Sequence, residues 1–322
     1  MTADESETLF GQMLDGEMAD AQITALLIAM ADRGETSAEI AGAARAMRAR
    51  MIRITAPTSA IDVCGTGGDG QHSLNVSTAV AIVVAVCEIP VAKHGNRAAS
   101  SLVGGADTLE ALGLNLDRAS ETAEATLADL GICFLFAQRH HPALARLSPI
   151  RKSIGRRTIF NLLGPLCNPA GVRLQLIGVA APALLPVYAG AMHMLGTERA
   201  MIVSGKEGLD ELSVSGPSEI ATIGFGLPSH IVTPEDAGLS RHAPEALHGG
   251  DAAYNAAALK RLLMGKRETA QDRAYRDAVL LNAAAALIVA GHAEDWREGV
   301  EEATEAIDKG LAKALLDCWV GY

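Results

Sequence analysis

Residues 62–97 read DVCGTGGDGQHSLNVSTAVAIVVAVCEIPVAKHGNR, and they decide the fold. An apolar run over 60–64 suits a strand. Gly65-Thr66-Gly67-Gly68-Asp69-Gly70 then makes a glycine-dense turn. A polar segment holding Asn75, Ser77 and Thr78 opens an apolar helix over 79–86, and a second short strand over 89–92 delivers Lys93-His94-Gly95-Asn96-Arg97. Without a Cβ, glycine lets backbone N–H groups approach an anion, and a following helix N-terminus adds positive partial charge. Lys93 and Arg97 add full charges from the next strand end. Two loops at strand C-termini, one of amides and one of cations, make a phosphate site.

Other readings of the same glycines weaken on inspection. Gly65, Gly67 and Gly70 satisfy G-x-G-x-x-G, a motif that is weak when it stands alone. In a dinucleotide fold the third glycine lies on the helix packed against the strand. Here further polar residues intervene, Asp69 would face the pyrophosphate, and Lys93 ends the second strand where a ribose-binding acid is required. A Walker A loop is excluded because no Gly-Lys-Ser/Thr follows the turn. A purely structural glycine turn stays open on this segment alone.

A chain of 322 residues can bury a large core in one large or two unequal domains. With 49% hydrophobic but only 3% aromatic residues, that core is built of Ala, Leu, Ile and Val. A net charge of −11 argues against a sequence-independent nucleic-acid surface, so a cationic pocket must be local. The five cysteines are odd in number and lack C-x-x-C spacing, which suits reduced thiols of a cytoplasmic protein rather than disulfides or a zinc site. No signal peptide is expected, and the longest aliphatic run is too short to span a bilayer.

Residues 1–58 read as all-helical, with helices over 6–14, 19–33 and 37–51 broken at Gly16 and Gly34. Beyond the glycine stretch, 98–106 suggest a tight loop, 107–112 a helix, 119–130 an amphipathic helix and 132–136 a strand. Residues 138–155 turn helical and basic, with His140, His141, Arg146, Arg151, Lys152, Arg156 and Arg157. Such a run is commonly a solvated face, although Arg151 also offers a planar fork for a carboxylate. From 174 onward strands (174–179, 200–203, 219–223, 229–232) alternate with helices (184–195, 252–264, 272–291, 295–315), the pattern of an α/β domain. At the end of the 200–203 strand, Asp210 and Glu211 suit either an acidic surface turn or a Mg²⁺ that bridges phosphate oxygens.

Together, GTGGD (65–69), the N-x-S-T segment (75–78) and KHGNR (93–97) resemble the signature of the anthranilate phosphoribosyltransferases. The likeness continues through RHHPALARLSPIRKSIGRRTIFNLLGPLCNPAG (139–171), EGLDE (207–211) and the Ala-rich helix after Arg276, covering nearly the whole chain. The resemblance implies an α/β fold of the nucleoside phosphorylase/phosphoribosyltransferase type. A small all-helical N-terminal domain (1–58, with a contribution from 138–168) joins a large α/β domain (59–137 and 169–322) whose central mixed sheet is flanked by helices. The implied reaction transfers the phosphoribosyl group of 5-phosphoribosyl 1-pyrophosphate (PRPP) to anthranilate, in tryptophan biosynthesis.

By the same resemblance, Gly65, Thr66, Gly67, Gly68, Asp69, Asn75, Ser77, Thr78, Lys93 and Gly105 bind PRPP. Anthranilate falls to Gly65, His94, Asn96, His141 and Arg151, and Mg²⁺ to Ser77, Asp210 and Glu211. No acid or base is assigned, because an aromatic amine is already neutral near pH 7. Two small-molecule substrates, no nucleic acid, no membrane and a homodimer through the helical domain complete the expectation. Compared with the family the chain starts late, lacking most of an N-terminal helix. It also departs at Glu88 (usually glycine), Leu102, Gly105 (often a small hydroxyl residue) and Ser204 (commonly histidine). A pyrimidine nucleoside phosphorylase would need a nucleobase site in place of Arg151 and His-His-Pro. A non-catalytic nucleic-acid-binding homologue fits poorly with the −11 charge and with Asp210-Glu211.

Overall fold

In the helical part, Thr2 and Thr36 each accept the backbone N–H of the residue three positions on, and Glu5 and Glu39 reach back to the cap. These capping boxes open α1 (Ala3–Asp15) and α3 (Ser37–Arg48), and α2 (Asp20–Arg33) lies between them. A computed structural model describes residues 1–97, 102–227 and 230–322 of the chain. Residues 98–101 of the expected loop, and the start of the expected strand at Ser229, lie outside the described residues.

The α/β part holds one seven-stranded sheet: β1 (Ile61–Gly65), β2 (Val91–Gly95), β3 (Ile132–Phe136), β4 (Leu174–Gly178), β5 (Arg199–Gly205), β6 (Ser218–Ile223) and β7 (Ile231–Val232). The spatial order is β3-β2-β1-β4-β5-β6-β7. The first five strands are parallel, and β6 and β7 are antiparallel, which makes the sheet mixed. The chain builds outward from β1 in one direction, then returns to build β4 and β5 on its other side. The gap between the C-terminal ends of β1 and β4 is therefore a topological switch point, where open α/β sheets hold their ligands.

Helices cover both faces. On one lie α4 (Val76–Val86), α5 (Gly105–Ala111) and α6 (Leu116–Glu121), whereas Ala123 and Leu127 of α7 (Ala123–Leu130) pack with Ala92, Cys133 and Leu135 in a separate small cluster. The short α8 (Ala137–His140) and α9 (Ser148–Ile154) belong to the basic segment, α10 (Phe160–Leu163) follows it, and α11 (Leu185–Met194) joins β4 to β5. Four C-terminal helices follow: α12 (Ala252–Leu263), α13 (Ala270–Ala290), α14 (Trp296–Asp308) and α15 (Leu311–Gly321). The apolar α4 and the 278–289 stretch of α13 are buried in the main core. A second core runs without interruption from Phe10, Met13, Ile23 and Leu27 through Phe160 and Tyr188 to Ile177 and Ile202 of the sheet.

Several boundaries differ from the sequence expectation. The 119–130 helix breaks at Thr122, and 295–315 splits at Gly310, whose φ of 74° ends one helix and starts the next. Pro149 and Pro142 begin short helical turns, so the basic segment is not one helix. Gly105 is the first residue of α5, capped at Gly104, rather than part of a loop. Glu88 adopts φ 61°, a left-handed turn after α4 that a glycine, the residue expected there from the resemblance, would take without strain. Leu102 is exposed.

Candidate active site

At the switch point, β1 ends on Gly65 and β4 on Gly178, and the two glycines face each other in register. A Cβ on Gly65 would overlap Asp210 Oδ2, and a Cβ on Gly178 would overlap the Asp210 carbonyl oxygen. Bare backbone at both strand ends is what admits the Asp210-Glu211 segment to the crevice. There the Gly67 N–H donates to Asp210 Oδ2 at 2.6 Å, and the Thr66 N–H donates to the Gly178 carbonyl. Gly67, Gly68 and Gly70 all have positive φ, so the turn needs the freedom that its composition suggested.

This glycine loop and the start of α4 form one wall of a cleft of about 270 Å³. Asn75 caps α4, and Ser77 and Thr78 occupy its first turn, facing the cleft with Lys93 from β2. Lys93 is buried and donates to the Val63 carbonyl at 2.9 Å and to Ser77 Oγ at 3.3 Å. Its counter-charge is Asp62, fully buried on β1 and held by the His94 N–H (3.1 Å) and Asn168 Nδ2 (2.8 Å). Arg97 departs from the expectation. Its guanidinium pairs with Asp107 (2.9 Å) and Glu110 (2.8 Å) on α5, so its charge is neutralised rather than offered to an anion.

Buried polar atoms without partners among the described residues gather on this wall: Thr66 Oγ1, Asp69 Oδ2, Thr78 Oγ1 and, from the facing segment, Arg157 Nη2. Such groups are costly unless something else completes them. Asp210 and Glu211 are both pushed up from the ordinary carboxylate range, first by burial. Asp69 then adds to the shift of Asp210, and Asp210 and Asp69 to that of Glu211. Lys93 and the Ser77 backbone pull Glu211 the other way. Among the described residues no three His, Cys, Asp or Glu side chains form a ready-made metal cage. Crowded carboxylates with open coordination fit Mg²⁺, which keeps waters and completes its shell from phosphate oxygens. Gly105 sits over this wall, its missing Cβ aimed at Thr78 Oγ1 3.1 Å away. Ser204 is buried in β5 with an unpartnered hydroxyl.

The opposite wall has a different chemistry. His94 Nδ1 lies 2.9 Å from the Gly164 carbonyl, and its Nε2 is 3.3 Å from His141 Nε2. Burial and the neighbouring imidazole drive His94 down to about 3, and burial drives His141 down to about 4, so both rings are neutral near pH 7. His140, its sequence neighbour, turns away and binds the Ile52 carbonyl at 2.8 Å. Arg151 lies 5.4 Å over the Phe160 ring; burial lowers its pKa, and no side-chain partner is seen among the described residues. Asn96 accepts the Arg97 N–H through Oδ1 and lines the same cleft. The cleft thus joins a wall of glycine amides, hydroxyls and the Lys93 ammonium to a wall of neutral rings beside the Arg151 guanidinium.

Sequence reasoning brought these residues together but missed the groups that hold them. Asp62, a carboxylate inside an apolar strand, was a readable signal. Asn282 was visible as the polar residue of α13; it donates to the Leu212 carbonyl and accepts the Leu212 N–H, fastening the chain beside Glu211. Gly178 carried no signal, because only its register with Gly65 gives it meaning.

Residues 57–313 match a family model described as glycosyl transferase family, a/b domain, and residues 1–51 match the corresponding helical bundle domain. An anthranilate phosphoribosyltransferase of Novosphingobium aromaticivorans is 65% identical over 317 residues, covering 98% of this chain and 94% of that protein. The crystal structure of the Thermus thermophilus enzyme of the same name superimposes with TM-score 0.93 at 41% identity, covering 100% of this chain and 95% of that one. The Saccharomyces cerevisiae enzyme, solved in complex with PRPP and Mg, has TM-score 0.85 at 30% identity, covering 94% of this chain and 85% of that one. Motifs, fold and relatives converge, and the chain belongs to the anthranilate phosphoribosyltransferase family.

Proposed function

We propose that this protein transfers the phosphoribosyl group of PRPP to the amine of anthranilate, giving N-(5-phosphoribosyl)anthranilate and pyrophosphate in tryptophan biosynthesis. The observation that carries this reading is the pairing of two unlike walls across one cleft. A highly charged leaving group needs fixed positive charge and amides, and an aromatic acid needs an unpaired guanidinium beside neutral rings.

In this reading the PRPP contacts fall to Gly65, Thr66, Gly67, Gly68, Asp69, Asn75, Ser77, Thr78, Lys93 and Gly105. The amides of the glycine turn and the Lys93 ammonium are fixed before the substrate arrives, so they stabilise charge as it develops on the departing pyrophosphate. Asp210 and Glu211, with Ser77, would hold Mg²⁺, which when bound neutralises pyrophosphate charge. Arg151 grips the anthranilate carboxylate, while Gly65, His94, Asn96 and His141 orient the ring. The C1–O bond to pyrophosphate breaks, the amine lone pair forms the N–C1 bond, and the ammonium proton leaves to water. Positioning supplies most of the effect, since the nucleophile needs no deprotonation. A helical domain over 1–58 with 138–168, a homodimer through that domain and a cytoplasmic location belong to the same proposal.

The test is anthranilate fluorescence followed with PRPP and Mg²⁺, for the wild type and Arg151→Ala. Donor- and metal-dependent consumption is expected, with anthranilate KM rising on the order of a hundredfold in the variant. Absence of consumption by the wild type at any substrate level would sink the proposal.

A further inference from the structure

A network remote in sequence fixes the amide of Asn75. The order of donors can be worked out from a backbone group, whose role is not in question. The Gly250 N–H can only donate, and it donates to Asn255 Oδ1 at 2.8 Å. That contact orients the Asn255 amide, so its Nδ2 is the atom facing Asn75, at 3.0 Å. The atom it meets must accept and is therefore Asn75 Oδ1. Thr108 adds a second donor to the same oxygen at 2.5 Å. The backbone is held as well, because the Tyr275 hydroxyl donates to the Asn75 carbonyl at 3.0 Å.

With Oδ1 taken by two donors, Nδ2 is the end of Asn75 left to the cleft that the residue lines. An N–H donor is the correct end to show a phosphate; the flipped amide would show it an oxygen and repel it. Asn75 makes no side-chain cap to its own helix, so no local bond sets this orientation. Asn255 on α12 is 2% exposed and Thr108 on α5 is 0% exposed, and neither touches the cleft. Even Gly249 is constrained by the arrangement, since a Cβ there would strike Asn255 Oδ1 at 2.7 Å.

We infer that Asn255 and Thr108 are positioning residues that lock the Asn75 amide with its N–H₂ toward the phosphate groups of the donor. The inference rests on the proposed donor site but not on the acceptor chemistry. A carboxylate at position 255 would still accept from Gly250, yet its other oxygen would draw Asn75 Nδ2 inward and turn Oδ1 to the anion. A valine at 108 removes one donor while keeping the shape of threonine.

The experiment is calorimetric binding of PRPP with Mg²⁺ to the wild type, Asn255→Asp, Thr108→Val and Thr108→Ser, with thermal melting of each and anthranilate KM in parallel. Asn255→Asp is expected to weaken donor binding tenfold or more, and Thr108→Val several-fold. Thr108→Ser, which retains the hydroxyl, should bind within twofold of the wild type, and anthranilate KM should stay unchanged in all three. Thr108→Val guards against misfolding of the buried carboxylate variant. Equal donor affinity in Thr108→Val and the wild type would overturn the inference, as would parallel losses of donor and acceptor binding that track melting temperature. Wild type that binds PRPP without consuming anthranilate would defeat the function proposal; the same variant pattern in binding would still support this one.

Discussion

The two walls of the cleft are built on opposite principles. The glycine-loop wall is charged and incomplete, with buried oxygens that have no donors and carboxylates pushed up by burial and crowding. The histidine wall carries neutral rings, with His94 Nδ1 placed against the Gly164 carbonyl and its Nε2 against His141. One wall waits for ions to complete it; the other is shaped in advance for a flat ring. The difference follows the charges of the proposed substrates. A polyanion with its metal brings its own counter-charges, whereas an aromatic amine must not meet a protonated imidazole.

Replacing both Asp210 and Glu211 by alanine should separate the walls most sharply. We expect kcat/KM to fall by roughly a thousandfold or more, since fixed charge at a leaving group contributes several kcal/mol. Anthranilate binding, followed by fluorescence, should persist. Activity within tenfold of the wild type would mean that the charged wall needs no metal.

His141→Gln probes the neutral wall through pH. Unfolded, His141 takes a proton near pH 6.5; folded, it does so only near pH 4. Between those values the unfolded chain binds more protons, so stability rises with pH across that window and is lost on acidification. Removing the imidazole should flatten this slope by about 3 kcal/mol between pH 7 and 4. Urea midpoints taken across the range would show it, and an unchanged slope would mean that the histidine wall is not neutral by burial.

Gly178→Ala forces a Cβ against the Asp210 carbonyl. A loss of about 1–3 kcal/mol is expected from the displaced backbone, with PRPP binding weakened and anthranilate binding spared. Melting with calorimetry on each substrate would test the pairing of Gly65 with Gly178. The smallest effect belongs to Glu88→Gly, outside both walls. Relief of the left-handed turn should stabilise by about 1 kcal/mol, with neither KM altered. A lower melting temperature would contradict the strain assigned to φ 61°.

Much of this molecule was legible from its residues. The glycine turn, the N-x-S-T segment and Lys93 were legible as groups that meet at one place, because the C-terminal ends of neighbouring parallel strands face one edge of the sheet. The elements β1, β3, α4 and α13 were visible as apolar runs of the right length. Arg97 misled the reading, since its charge looked free in KHGNR; Asp107 and Glu110 lie ten and thirteen residues away and meet it only once α5 docks. The helix breaks at Thr122 and Gly310 escaped notice because helical periodicity passes through them with little change.

By itself, the sequence determined which chemical groups this protein possesses and the local turns that present them, since those follow from side-chain type and backbone freedom within a few residues. Only the tertiary structure decided their orientation and company. It set Gly178 against Gly65, placed His141 opposite His94, and brought Asn255 and Thr108 to Asn75 across 180 and 33 residues. Those contacts depend on sheet order and helix docking, which are set by burial of the whole core rather than by any stretch of chain.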